Sequence, residues 1–164
     1  MKKKRGILLS VLVFGVILSI LPIFPVLTLQ NVDTGKRLVQ IPFKGEKEFA
    51  VSFLHSVNKT PVTEYYYIEG GRMILSYAEY SSFGAGMPEI ADLPGSTMEI
   101  AGGILRLGGL NQHIPNLVYR VGTVANHQLY MNGKWIELQK IAPTQAGIQF
   151  SFEKIGFLRY ISTK

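Results

Sequence analysis

Residues 6 to 29, GILLSVLVFGVILSILPIFPVLTL, carry no charge and follow Met1-Lys2-Lys3-Lys4-Arg5 directly. At helical rise the run is long enough to cross a hydrocarbon core of roughly 30 Å. It reads as one spanning helix, with the four basic residues held in the cytoplasm. The flank that follows opens with Gln30, Asn31 and Asp33, so the remaining chain is expected outside. A cleaved signal peptide has the same grammar, but the run exceeds an h-region of ~7 to 15 residues and its end, LPIFPVLTLQ, offers no small-x-small site. Pro22 and Pro25 are expected to end the regular helix near the outer interface. The expected organisation is a basic tail and anchor over residues 1–29, a linker over 30–37 and an extracytoplasmic domain over 38–164.

The chain has no cysteine, which removes disulfides, thiolate metal sites and attachment of a lipid through an N-terminal cysteine. The exported part must therefore stand on its core, and it is long enough to do so as one domain. Of the 17 basic residues four belong to the N-terminal cluster, leaving 13 against 11 acidic ones. The basic balance of the whole chain thus reports topology, and nucleic acid is not an expected partner.

From Lys36 onward, short alternating runs are divided by turn signals. KEFAVSFLH puts Phe49, Val51, Phe53 and His55 on one face, the period of a strand. TEYYYIE and RMILSYAE flank Gly70-Gly71, while QLYM and KWIEL flank Asn132-Gly133; both pairs suit a type I′ hairpin turn. GIQFSFEK alternates Ile148, Phe150 and Phe152 with polar neighbours, and FLRYIS is expected as the last strand. The fold class is all-β, an antiparallel sandwich or small barrel, preceded by a single N-terminal transmembrane helix. MPEIADLPGSTMEIAGGILRLGGL is left unassigned, because its glycines break it into short pieces.

Three segments concentrate residues suited to a site. In LHSVNKTPVTEYYYIE, His55 and Glu64 stand near the two feet of one loop, where a carboxylate can fix an imidazole tautomer and raise its pKa; a structural pair holding the loop base explains the same residues. In YSSFGAGMPE, the Ser81 and Ser82 hydroxyls and the N–H groups around Gly84, Ala85 and Gly86 can form an anion-binding nest; a packed turn is the plainer account. In YRVGTVANHQLYMNG, Arg120 is either a guanidinium kept for a carboxylate or a surface arginine, and His127 adds a third histidine to His55 and His113. No pair of these has metal-ligand spacing, so no metal site is expected, and nothing implies a cofactor. No nucleophile-elbow pattern is present, so catalysis is not indicated. Tyr65, Tyr66, Tyr67 and Tyr80 supply aromatic surface of the kind interfaces favour, with alternation sending some of the rings inward.

Together, FLHSVNKTPVTEYYYI, YSSFGAGMPE and RVGTVANHQLYMNGKWIEL resemble the signature blocks of the DUF1850 family over roughly residues 45–140. The resemblance implies a small prokaryotic protein often encoded beside the permease and solute receptor of TAXI-type TRAP transporters. It carries no catalytic residues across. The expected function is that of a membrane-anchored extracytoplasmic accessory of solute uptake, acting by protein contact with permease and receptor or by holding a small organic anion. An exported hydrolase-like enzyme using His55 and Glu64 is the alternative.

Overall fold

Residues 24 to 29 close the apolar run that the sequence assigns to the membrane, yet they form the middle of a sheet. The computed structural model describes residues 14–17, 19–57, 59–81 and 95–163. Residues 14–17 and 19–20 are helical, and only 21–23 separate them from strand β1, Phe24–Asn31. β1 lies between β2 (Arg37–Pro42) and β12 (Gly147–Ile155), and β9 (Leu117–Arg120) completes this first sheet in the order β2-β1-β12-β9. All of its pairings are antiparallel.

The second sheet is built from β3 (Glu48–Leu54), β4 (Pro61–Glu69), β5 (Arg72–Tyr80), β6 (Thr97–Ala101), β7 (Ile104–Gly108), β10 (Gln128–Met131) and β11 (Lys134–Glu137). Its order is β11-β10-β3-β4-β5-β7-β6, with β8 (Gln112–His113) paired to β5. The fold is all-β and antiparallel. One core joins the sheets: Leu27, Leu29, Ile148 and Phe150 of the first meet Phe49, Val51, Tyr66, Leu129 and Met131 of the second. Phe49 stacks on Tyr66 at 5.0 Å and on Phe150, across the interface, at 6.0 Å.

The two glycine-bearing links are hairpin turns with positive φ at both central residues: 56° and 81° at Gly70-Gly71, 52° and 78° at Asn132-Gly133. The unassigned stretch contains a third. Gly102 and Gly103, at 60° and 80°, connect β6 to β7.

The structure moves three boundaries. Phe24–Leu29 belong to the domain, not to a spanning helix: Val26, Leu27 and Leu29 are wholly buried and Thr28 nearly so. A central strand covered on both faces is apolar throughout, which makes it indistinguishable by composition from the end of a membrane helix. Residues 30–37 are no linker either. They turn β1 into β2, with the Asn31 Oδ1 accepting the Thr34 N–H at 2.9 Å. The domain therefore begins near residue 24 instead of 38. Among the described residues no helix is long and apolar enough to cross a membrane, and residues 6–13 and 18 of the run lie outside them.

The third correction concerns FLRYIS. It forms a short helix, α1, Phe157–Ile161, where a strand is expected. Phe157 and Tyr160, three apart and so on one helical face, both meet Phe24, with Tyr160 stacked on it at 4.4 Å. This helix covers the outer face of β1. The Arg159 Nε donates to Gln40 Oε1 at 2.9 Å, while the Gln40 Nε2 donates to Thr28 Oγ1 at 2.8 Å and Glu153 Oε2 at 3.1 Å. The buried amide of Gln40 is thus satisfied on both ends. Gly156, at the start of the helix, passes so close to residues 19–20 that a Cβ there would stand 2.8 Å from the Ser19 carbonyl oxygen and 2.7 Å from that of Ile20.

Leu27→Ala is expected to cost about 2–5 kcal/mol of stability, read by urea unfolding of the full chain in detergent with the lone tryptophan as reporter. A change of only a few tenths would place Leu27 in the bilayer and not in the core.

Candidate functional site

Alternation in β4 turns Val62, Glu64 and Tyr66 toward the first sheet and leaves Tyr65 and Tyr67 outside. Glu64 therefore enters the space between the sheets, beside the buried Tyr66. From the opposite sheet Tyr119 of β9 reaches the same point. The Tyr66 hydroxyl donates to Glu64 Oε2 at 2.9 Å, the Tyr119 hydroxyl donates to the same oxygen, and the two phenol oxygens are 2.8 Å apart. Burial, and then the Glu64 charge, push both phenols far above their ordinary pKa. Tyr80, on the neighbouring strand, is raised for the same two reasons. The phenols therefore stay protonated and act as donors, and the carboxylate acts as acceptor.

An aromatic shell surrounds this trio. Phe53 lies 6.0 Å from Tyr119 and 5.5 Å from His127, and Tyr119 lies 5.8 Å from His127 and 5.7 Å edge-on from Phe150. His127 is buried, and the Gly122 N–H donates to its Nδ1 at 3.4 Å, so Nε2 carries the proton of the neutral ring. Burial lowers its pKa.

Of the residues singled out in the sequence, Glu64 and His127 come together, joined through Tyr119 and Phe53. His55 does not join them. The register sets Glu64 opposite Val51, whereas the His55 N–H donates to the Thr60 carbonyl four rungs further on, roughly 13 Å along the strand. The imidazole Nδ1 accepts the Val57 N–H at 3.3 Å, inside its own turn. Arg120 follows the inward Tyr119 and so points out; it is exposed, and its Nη1 donates to the Gln145 carbonyl at 2.5 Å. Ser81 is exposed at the end of β5, its N–H donating to the Pro61 carbonyl at 3.2 Å. Ser82, Gly84, Ala85 and Gly86 lie outside the described residues.

Tyr66, Tyr119 and Phe53 are the site residues that sequence reasoning passed over. Tyr66 had a signal, since it stands two residues from Glu64 and shares its face. Tyr119 had none, because nothing local links β9 to β4.

Two phenols and a carboxylate between packed sheets, beside a neutral imidazole, form a donor–acceptor cluster. No cation pairs with Glu64 among the described residues, and no three His, Asp or Glu side chains gather there as a metal site would require. The fold and this interior define a two-sheet antiparallel β domain with an aromatic-caged carboxylate. The chain belongs to the DUF1850 family, a domain of unknown function whose model matches residues 49–138, from β3 to the end of β11. No curated protein and no solved structure matches the chain.

Removing one phenol donor in Tyr119→Phe is expected to lower stability by about 1–3 kcal/mol, measured by urea unfolding. His127 gives a pH signature whose sign follows from its lowered pKa. Above about pH 6.5 the ring is neutral in both folded and unfolded chains and contributes nothing. Below that value the unfolded chain takes up a proton that the buried ring refuses, so stability falls with pH until the depressed folded-state pKa is reached. His127→Phe, which keeps a ring in the shell, is expected to reduce this fall in stability as the pH drops below about 6.5. An unchanged slope would assign the acid sensitivity to other groups.

Proposed function

We propose that the protein is a membrane-tethered extracytoplasmic accessory of a solute transport system, of the TAXI-type TRAP kind, and that it works by contact with the permease and its solute receptor. The observation that carries this reading is the joint at residues 21–23. The helical part of the run enters β1, whose central residues Val26 to Leu29 are buried, after three residues, so any membrane that holds the run also holds the domain at short range and in a restricted orientation. A tether of that kind suits a partner in the same bilayer.

The position of the Glu64 cluster supports the same view. Tyr119 stands opposite Ile148, which pairs with Asn31 at the far end of β1, about 23 Å from Phe24 along the strand. The cluster thus lies at the end of the domain away from the run. Of the two modes expected, contact is favoured over capture of an organic anion, because the described interior offers a carboxylate and two phenols and no cation.

Deleting the protein is expected to slow uptake by the partner transporter. Restoring it with a flexible Gly/Ser segment of about eight residues between Ile23 and Phe24 should recover a folded domain but only part of the uptake. Uptake equal to wild type in the deletion strain would sink the proposal, and full recovery with the loosened joint would remove the role assigned to the tether.

A further inference from the structure

The outer face of the second sheet carries a row of rings at one level. The register sets Trp135 of β11 opposite Tyr130 of β10, Tyr130 opposite Ala50 of β3, Ala50 opposite Tyr65 of β4, and Tyr65 opposite Tyr77 of β5. Tyr65 and Tyr77 stack at 4.2 Å, and Tyr130 and Trp135 meet at 5.0 Å. Beyond Tyr77 the row ends in a cation, the Arg106 guanidinium, 4.9 Å above the ring and paired with Glu79 at 2.7 Å.

The row is interrupted once. Ala50 places only a methyl group between Tyr65 and Tyr130, two strand spacings or about 10 Å apart; it is itself buried, and a groove of about 200 Å³ lies above it, lined by Ala50, Tyr65, Tyr67, Tyr77, Tyr130 and Glu48. Tyr65 is stacked on Tyr77 on one side and Tyr130 meets Trp135 at a tilt of 48° on the other, and both rings line the groove between them. Glu48, two residues from Ala50 on the same face, is exposed, and its carboxylate has no hydrogen-bond or ion-pair partner among the described residues. Tyrosine faces with a carboxylate beside them are what Arg106 already occupies at the end of the row. The gap repeats that arrangement without its cation.

We propose that this groove receives an arginine side chain from a partner protein, its guanidinium lying against Tyr65 and Tyr130 and its N–H groups on the Glu48 carboxylate. The planar, weakly hydrated guanidinium is the group that combines ring stacking with bidentate pairing; a lysine ammonium does only part of this. The inference rests on the contact reading above and names the chemistry of one contact.

Trp135 is the only tryptophan in the chain and adjoins Tyr130, so its emission reports the groove. The full chain in detergent is titrated with N-acetyl-arginine amide, N-acetyl-lysine amide and phenol. A saturable change with the arginine compound is expected, about tenfold weaker with the lysine compound. Glu48→Gln, at an exposed position, should weaken it by a similar factor with unchanged melting temperature, and Ala50→Leu, which fills the gap, should abolish it. No saturable response to the arginine compound, an equal response to phenol, or an unaltered response in Glu48→Gln would each overturn the proposal. Overturned with uptake still dependent on the protein, the contact reading would stand and this groove would not be the contact.

Discussion

One oxygen of Glu64 holds the two sheets in their relative position. A carboxylate between packed sheets is costly unless its lone pairs are engaged, and here the donors come from different layers, Tyr66 on β4 and Tyr119 on β9. Sliding one sheet over the other would strand the charge, whereas the surrounding Phe49, Phe53 and Phe150 contacts would tolerate small shifts. Apolar packing thus supplies most of the cohesion, and the phenol–carboxylate triangle selects one alignment from the many that packing alone permits. Phe53 on β3 and His127, the residue before the neighbouring β10, stand on the side of one sheet, and that alignment sets Tyr119 of the other sheet against them both.

Much of the second sheet was legible because its hairpins obey local rules. Gly70-Gly71 and Asn132-Gly133 need positive φ, and only a few residue types supply it cheaply. Gly102-Gly103 carried the same signal, but the strands beside it are short and β6 is exposed along its whole length, so no alternation announced them. β1 and α1 failed for a shared reason. Both take their places from contacts between distant parts of the chain: Leu27 and Leu29 are buried against the second sheet, and Phe157 and Tyr160 come together on Phe24. Period-based reading sees neither partner.

The candidate site divides in the same way. Glu64 and His127 stood out by residue type, as chemical groups on apolar strands. Their relation did not, since it passes through Tyr119, 55 residues from Glu64 in the chain. His55 was drawn toward Glu64 by nearness in sequence, yet the continuous ladder from Glu48 to Leu54 carries the two apart. Antiparallel pairing turns a short separation along the chain into a fixed distance along the sheet, and only residues directly across a rung become neighbours.

The close approach of Gly156 to the Ser19 and Ile20 carbonyls brings the chain back to where it entered the domain. Beginning and end therefore form one pole, and the molecule has a near side and a far side in the sense of a plug. Anything joined after α1 shares the crowded pole with the apolar run, while the Asn31 end of β1 and the Glu64 cluster remain at the open one. The route of the backbone thus orients the domain's chemistry before any partner arrives.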